Sequence, residues 1–137
     1  ETYCQGSRYF AKNLPIPKPD EAINLDMVAD KQLHLPVEKF SLEFHPELVR
    51  YLWERADELG LDAFDMTPQH AIYDDHVPLY EHAGIPSIDL IDFKYPNPYS
   101  NFWHTMNDLP EHCSAESLGQ VGTLMVDYIF NRENQNW

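Results

Sequence analysis

The chain has 137 residues, of which 9 are Lys or Arg and 23 are Asp or Glu, giving a formal net charge of −14. That length is one domain, residues 1–137, and 43% hydrophobic and 13% aromatic residues exclude wholesale disorder. No apolar run approaches the ~18 residues of a transmembrane helix, and the acid surplus without a Lys/Arg cluster excludes a nucleic-acid partner and an anionic membrane surface.

The opening ETYCQGSRYF lacks a basic stretch followed by an apolar one, so no signal peptide is expected in this chain. It starts without Met, as a processed or trimmed product or a piece of something longer does. Residues 7–13 read as the end of a helix. Pro15, Pro17 and Pro19 then impose an extended connection, because each removes a donor and biases its predecessor away from helix. Residues 22–28, AINLDMV, have apolar side chains on both faces and predict a strand covered on both sides. Residues 39–44 read as a second short strand.

Residues 47–59 are a helix: Leu48, Leu52, Ala56 and Leu59 keep helical spacing, His45 and Pro46 open it, and Gly60 follows it. Residues 63–66 read as a short strand, 77–82 as a short helix ending at Gly84, and 85–91, IPSIDLI, as another strand. Residues 94–102, rich in Tyr, Asn and Pro, form an irregular loop of the kind that often lines sites. Ser114 caps a final helix whose apolar stripe is Leu118, Val121, Leu124, Met125, Tyr128 and Ile129. Strands alternating with helices predict an α/β architecture with a largely parallel sheet, whose chemistry gathers beyond the carboxyl ends of the strands.

Three places can carry chemistry. Asp26 lies inside an apolar strand, where a carboxylate must be paired, hydrogen-bonded or metal-bound; a capped strand-end acid and a metal ligand both satisfy that. Asp74, Asp75 and His76 precede a short helix, and both capping by Asp75 or His76 and metal or proton-relay chemistry fit the pattern. His104 follows the large aromatic Trp103 at the end of the irregular loop, as a ligand beside an apolar wall or as a surface His beside a packing Trp. His34, His45, His70, His82 and His112 show no site-like spacing. Asp26 and His104 together supply two ligand types that suit Zn²⁺, with Asp74 a carboxylate behind them, whereas a catalytic zinc usually has three protein ligands. Cys4 and Cys113 are too few for a disulfide framework; a single pair and two independent thiols are both open.

In combination, GSRYFA, NLDMVAD, DDHVPLYEHAGIPSIDLIDF and FWHTMND resemble the C-terminal half of the zinc-dependent glutaminyl cyclases, which share a superfamily with the zinc aminopeptidases. The resemblance runs from Gly6 to the final helix. It implies part of a three-layer αβα sandwich around a mixed, largely parallel sheet. It implies that Asp26 and His104 are zinc ligands, that Asp74 hydrogen-bonds a catalytic Glu, that Asp89 is a second polar member of that network, and that Trp103 walls the substrate pocket. One zinc goes with a cyclase and two with an aminopeptidase, a peptide N-terminus is the substrate of either, and a secreted or periplasmic location is common. Ala29 stands where that family usually carries Gly.

The family's remaining ligand Glu and its acid/base Glu lie before the segment that begins at Glu1. The Glu residues here, from Glu1 through Glu38 to Glu133, all read as falling in helices, loops or edge-like stretches. The expectation is therefore a domain whose activity is absent from these residues alone, as in a truncated, non-catalytic module, and an exposed sheet edge through which the chain self-associates.

Overall fold

A computed structural model of the chain describes residues 3–132. Strand β1 (Ala22–Asp26) runs parallel to β4 (Ser87–Ile91), with Asn24 opposite Asp89 and Asp26 opposite Ile91. Strand β2 (Leu35–Glu38) runs parallel to β3 (Phe64–Gln69), with a register shift between Pro36 and Val37, and lies beside β4. Parallel neighbours need long crossovers. Helices α2 (Lys39–Phe44) and α3 (Pro46–Glu58) carry the chain from β2 to β3, and α4 (His76–Ala83) carries it from β3 to β4. Helix α1 (Gln5–Lys12) packs on α4, and α5 (Ala115–Asn131) closes the chain against α3.

Every residue of β4 is buried, so this strand is covered on both faces. Its alternation sorts the layers. Ile88 and Leu90 enter an apolar core with Val37 of β2, Leu48, Leu52 and Trp53 of α3, and Leu124 and Tyr128 of α5. Asp89 points the other way, toward α2 and α4. The result is α/β, with helices on both sides of parallel strands, as a three-layer sandwich requires. The core is tied at two polar points. Trp53 Nε1–H donates to the Leu35 carbonyl at 3.0 Å, and Arg55 of α3 holds Asp127 of α5 through two bonds of 2.8 Å.

The helix signals hold. Pro46 sits in the first turn of α3, Gly60 follows its C-cap Leu59 at φ +70°, and Gly84 ends α4 at φ +64°, a conformation that glycine adopts without strain. The Ser114 side chain accepts the Ser117 N–H and starts α5.

Four expectations need correction. Residues 39–44 are helix α2 and not a strand, because the Glu38 carboxylate accepts the N–H groups of Phe40 and Ser41 and nucleates a turn there. The strand in this region is β2, just before it, hidden by Pro36. Strand β1 is not covered on both sides: none of its residues is buried and Leu25 is 45% exposed. On α5, Leu118 and Ile129 face solvent, and Ser117 fills the buried position that the stripe assigned to Leu118. The irregular 94–102 loop contains a small antiparallel ribbon, β5 (Pro96–Asn97) with β6 (Ser100–Asn101). Cys4 and Cys113 are both free thiols. Glu1 and Glu133 lie outside the described residues. No described helix is long and apolar enough to cross a membrane.

Candidate active site

The sheet places Asn24 of β1 beside Asp89 of β4, and the segment before α4 brings Asp74 over both. The Asn24 amide donates one N–H to Asp74 Oδ2 at 3.1 Å and the other to Asp89 Oδ1 at 3.0 Å, holding two carboxylates side by side. The other oxygen of Asp74, Oδ1, accepts the Asp75 N–H at 2.8 Å. Asp74 is also within hydrogen-bonding reach of Asp26 and of Asp89. Burial pushes the Asp89 carboxyl from its ordinary 3.8 up to about 9, and the neighbouring Asp74 charge adds to that. Burial, and then Asp74, push Asp26 up to about 6. Clustered carboxylates repel, which favours a proton among them, and Asp89 is the one raised furthest. Asp75 is the N-cap residue of α4 but makes no side-chain capping bond, which removes the capping reading of that residue.

Behind the carboxylates His76, a candidate in the sequence, pairs with Glu38, which the sequence did not single out. Glu38 is the last residue of β2, a strand end after all, and is 2% exposed. Its Oε1 accepts the N–H of Phe40 and of Ile72, each at 2.9 Å. Its Oε2 accepts the Ser41 N–H and hydroxyl at 2.7 Å and bonds His76 Nε2 at 3.0 Å. Burial alone would raise the Glu38 carboxyl; the His76 bond and these donors outweigh it and hold the group below its ordinary value. The Ser41 hydroxyl accepts the Asp89 N–H at 2.8 Å, joining this pair to β4. The available signal was LPVE, a short apolar run ending in an acid.

Trp103 and His104 stand in a separate aromatic group. Their rings stack with centroids 3.9 Å apart and planes 18° from parallel, and Phe93 lies 5.5 Å from Trp103. Tyr3 stacks against the other side of this group, 6.5 Å from the His104 ring. His104 is exposed and sits at φ +55°, in the left-handed region that non-glycine residues seldom adopt. The structure thus brings Asp26, Asp74 and Asp89 together, and Trp103 with His104, as two groups. His34 and His45 pair with Asp65 and Glu21.

The chemistry of the donor set fits zinc in part. Asp26 is a carboxylate whose charge is opposed by Asp74, so a cation at its side would relieve the repulsion, and the exposed His104 imidazole is a suitable second ligand type. Neither belongs to a described trio of side chains close enough to share one ion. Among the described residues that trio is Cys4, Asp74 and Asp75. There burial, reinforced by Asp75 and Asp74, raises the Cys4 thiol to about 12, so it keeps its proton and donates it to Asp75.

Residues 1–129 match the profile of Peptidase family M28. Aminopeptidase YwaD of Bacillus subtilis is 29% identical over 139 residues, which covers 91% of this chain and 28% of that protein. Among solved structures, Porphyromonas gingivalis glutaminyl cyclase superposes with a TM-score of 0.86 at 33% identity, covering 94% of this chain and 49% of that one. A Zn-dependent exopeptidase from Parabacteroides distasonis superposes with a TM-score of 0.87 at 30% identity, covering 96% and 47%. The chain therefore spans about half the length of these solved relatives and less of the aminopeptidase.

Proposed function

The chain belongs to Peptidase family M28, and from that premise we propose that it carries part of the active site of a zinc enzyme acting on peptide N-termini, with glutaminyl cyclisation to pyroglutamate as the reaction. The observation that carries this reading is the group of three acids, Asp26 at the end of β1 with Asp74 and Asp89 beside it, two of them bridged by Asn24. Asp26 and His104 are the residues that would hold the zinc. When bound, zinc supplies Lewis-acid polarisation of the substrate carbonyl.

The chain's own residues do the rest of the work assigned here. Asp74, fixed by Asn24 and the Asp75 N–H, orients the family's acid/base Glu, the carboxylate that moves a proton from the substrate amine to departing ammonia. Asp89 keeps a hydrogen beside Asp74 and so limits the negative charge there. Trp103, backed by Phe93, offers a flat apolar wall that excludes water from the pocket. Because the amine and the amide belong to one residue, orientation alone gives a high effective concentration.

A second reading, aminopeptidase action with two zinc ions, is favoured by the similarity to aminopeptidase YwaD over 91% of this chain. Metal analysis and turnover in a protein of the relatives' full length separate the two. One zinc bound with release of ammonia from Gln-initiated peptides supports the cyclase; two zincs with release of a free N-terminal amino acid overturns it in favour of the peptidase. Asp26→Ala and His104→Ala are each expected to lose the metal, and full metal retention in either removes that residue from the ligand set. The 137 residues alone are expected to show no cyclase turnover, since two ligands fall short of the usual three; turnover by the pure chain would reverse that expectation. A secreted or periplasmic setting belongs to the same proposal.

A further inference from the structure

Under the three acids, two buried atoms face each other and neither has a hydrogen-bond partner. His76 Nδ1 and Asp89 Oδ2 lie 3.7 Å apart on side chains with no exposed surface. The opposite ring nitrogen, Nε2, is 3.0 Å from Glu38 Oε2. Glu38 is an acceptor only, and its four other partners are the N–H groups of Phe40, Ile72 and Ser41 and the Ser41 hydroxyl. The ring must therefore place a hydrogen on Nε2. A neutral imidazole has one N–H, which leaves Nδ1 a bare acceptor. Asp89 Oδ2 stands 3.7 Å from it.

We propose that Glu38 and His76 are a positioning pair for Asp89: Glu38 fixes the ring as the Nε2–H tautomer, and the bare Nδ1 is a second acceptor for the Asp89 hydrogen, alongside Asp74. This deepens the reading of Asp74 and Asp89 given above and rests on it. At 3.7 Å Nδ1 stands just beyond a hydrogen bond from Oδ2, so a shift of roughly half an ångström brings it into reach as an acceptor. The ring stays correctly aimed because Ser41 binds both Glu38 and the Asp89 backbone, so the carboxylate, the ring and the strand share one frame. Phe44 packs against the ring with centroids 6.0 Å apart and limits its rotation.

The test is nuclear magnetic resonance on the ¹⁵N,¹³C-labelled chain at neutral pH. The His76 ring is expected to show a protonated Nε2 and a bare Nδ1. A proton on Nδ1, or on both nitrogens, overturns the proposal. His76→Gln keeps an amide N–H for Glu38 and removes the acceptor facing Asp89. In it the Asp89 carboxyl ¹³C resonance is expected to shift while the amide resonances of Phe40, Ser41 and Ile72 stay in place. An unmoved Asp89 carboxyl signal overturns the proposal as well, because a merely structural ring predicts no such change. If the variant does not fold, the tautomer in the unaltered chain still decides. A chain that binds no zinc or processes no peptide leaves these resonances unaffected, so the two readings fail separately.

Discussion

At the scale of single residues, Asp89 makes the stability of the chain depend on pH in a direction opposite to that of most carboxylates. Folding lifts its pKa from 3.8 to about 9. Between those values the folded chain holds a proton there that the unfolded chain has released, so unfolding free energy falls as pH rises through that window. The slope is up to ~1.4 kcal/mol per pH unit while one proton separates the states. Urea melts at several pH values across the window are expected to show this decline, and Asp89→Asn is expected to flatten it; an unchanged slope in the variant would assign the decline elsewhere. Asp26 and Asp74 were legible as site candidates because an acid among apolar strand residues, or doubled before a helix, is costly without a task; Asp89 was legible only through the family resemblance. Glu38 was not, because its partner His76 is 38 residues away in sequence and neither residue signals the other.

At the scale of elements, Glu38 links a strand end, a helix start and a buried imidazole. Its loss uncaps α2 and strands His76 with no exposed surface. Glu38→Ala is therefore expected to lower unfolding stability by about 3–5 kcal/mol, read from the urea midpoint at constant slope. A loss near ~1 kcal/mol would mean that only the cap was removed. Leu90→Ala, in the strand buried on both faces, is expected to cost about 2–5 kcal/mol. Helices α3 and α5 were readable from the 3.6-residue period and their caps. Strand β2 was not readable, since Pro36 within a run of four argues against a strand; it is tolerated where the pairing with β3 shifts register. Leu118 and Ile129 of α5 fit the helical stripe by spacing, yet only the packing of α3 decides which part of that arc is covered.

At the scale of the molecule, β1 pairs on one side with β4 and has no described strand on the other, and Leu25 is 45% exposed. Such an edge favours association of chains, while a net charge of −14 opposes it. The two forces differ in range. Charge repulsion is screened within ~10 Å at 0.1 M salt, whereas the edge contact is not. Sedimentation is therefore expected to show mass rising with both protein and salt concentration, and Leu25→Lys is expected to suppress the rise. A monomer under all salt conditions would rule the edge out as a contact. The two-sided cover on β4 has another consequence. Ile88 and Leu90 share their core with Leu124 and Tyr128, near the end of α5, as well as with side chains of β2 and α3. During translation the central strand therefore emerges before the last part of its cover exists. A chain cut short before residue 124 leaves this core open on the side that α5 closes.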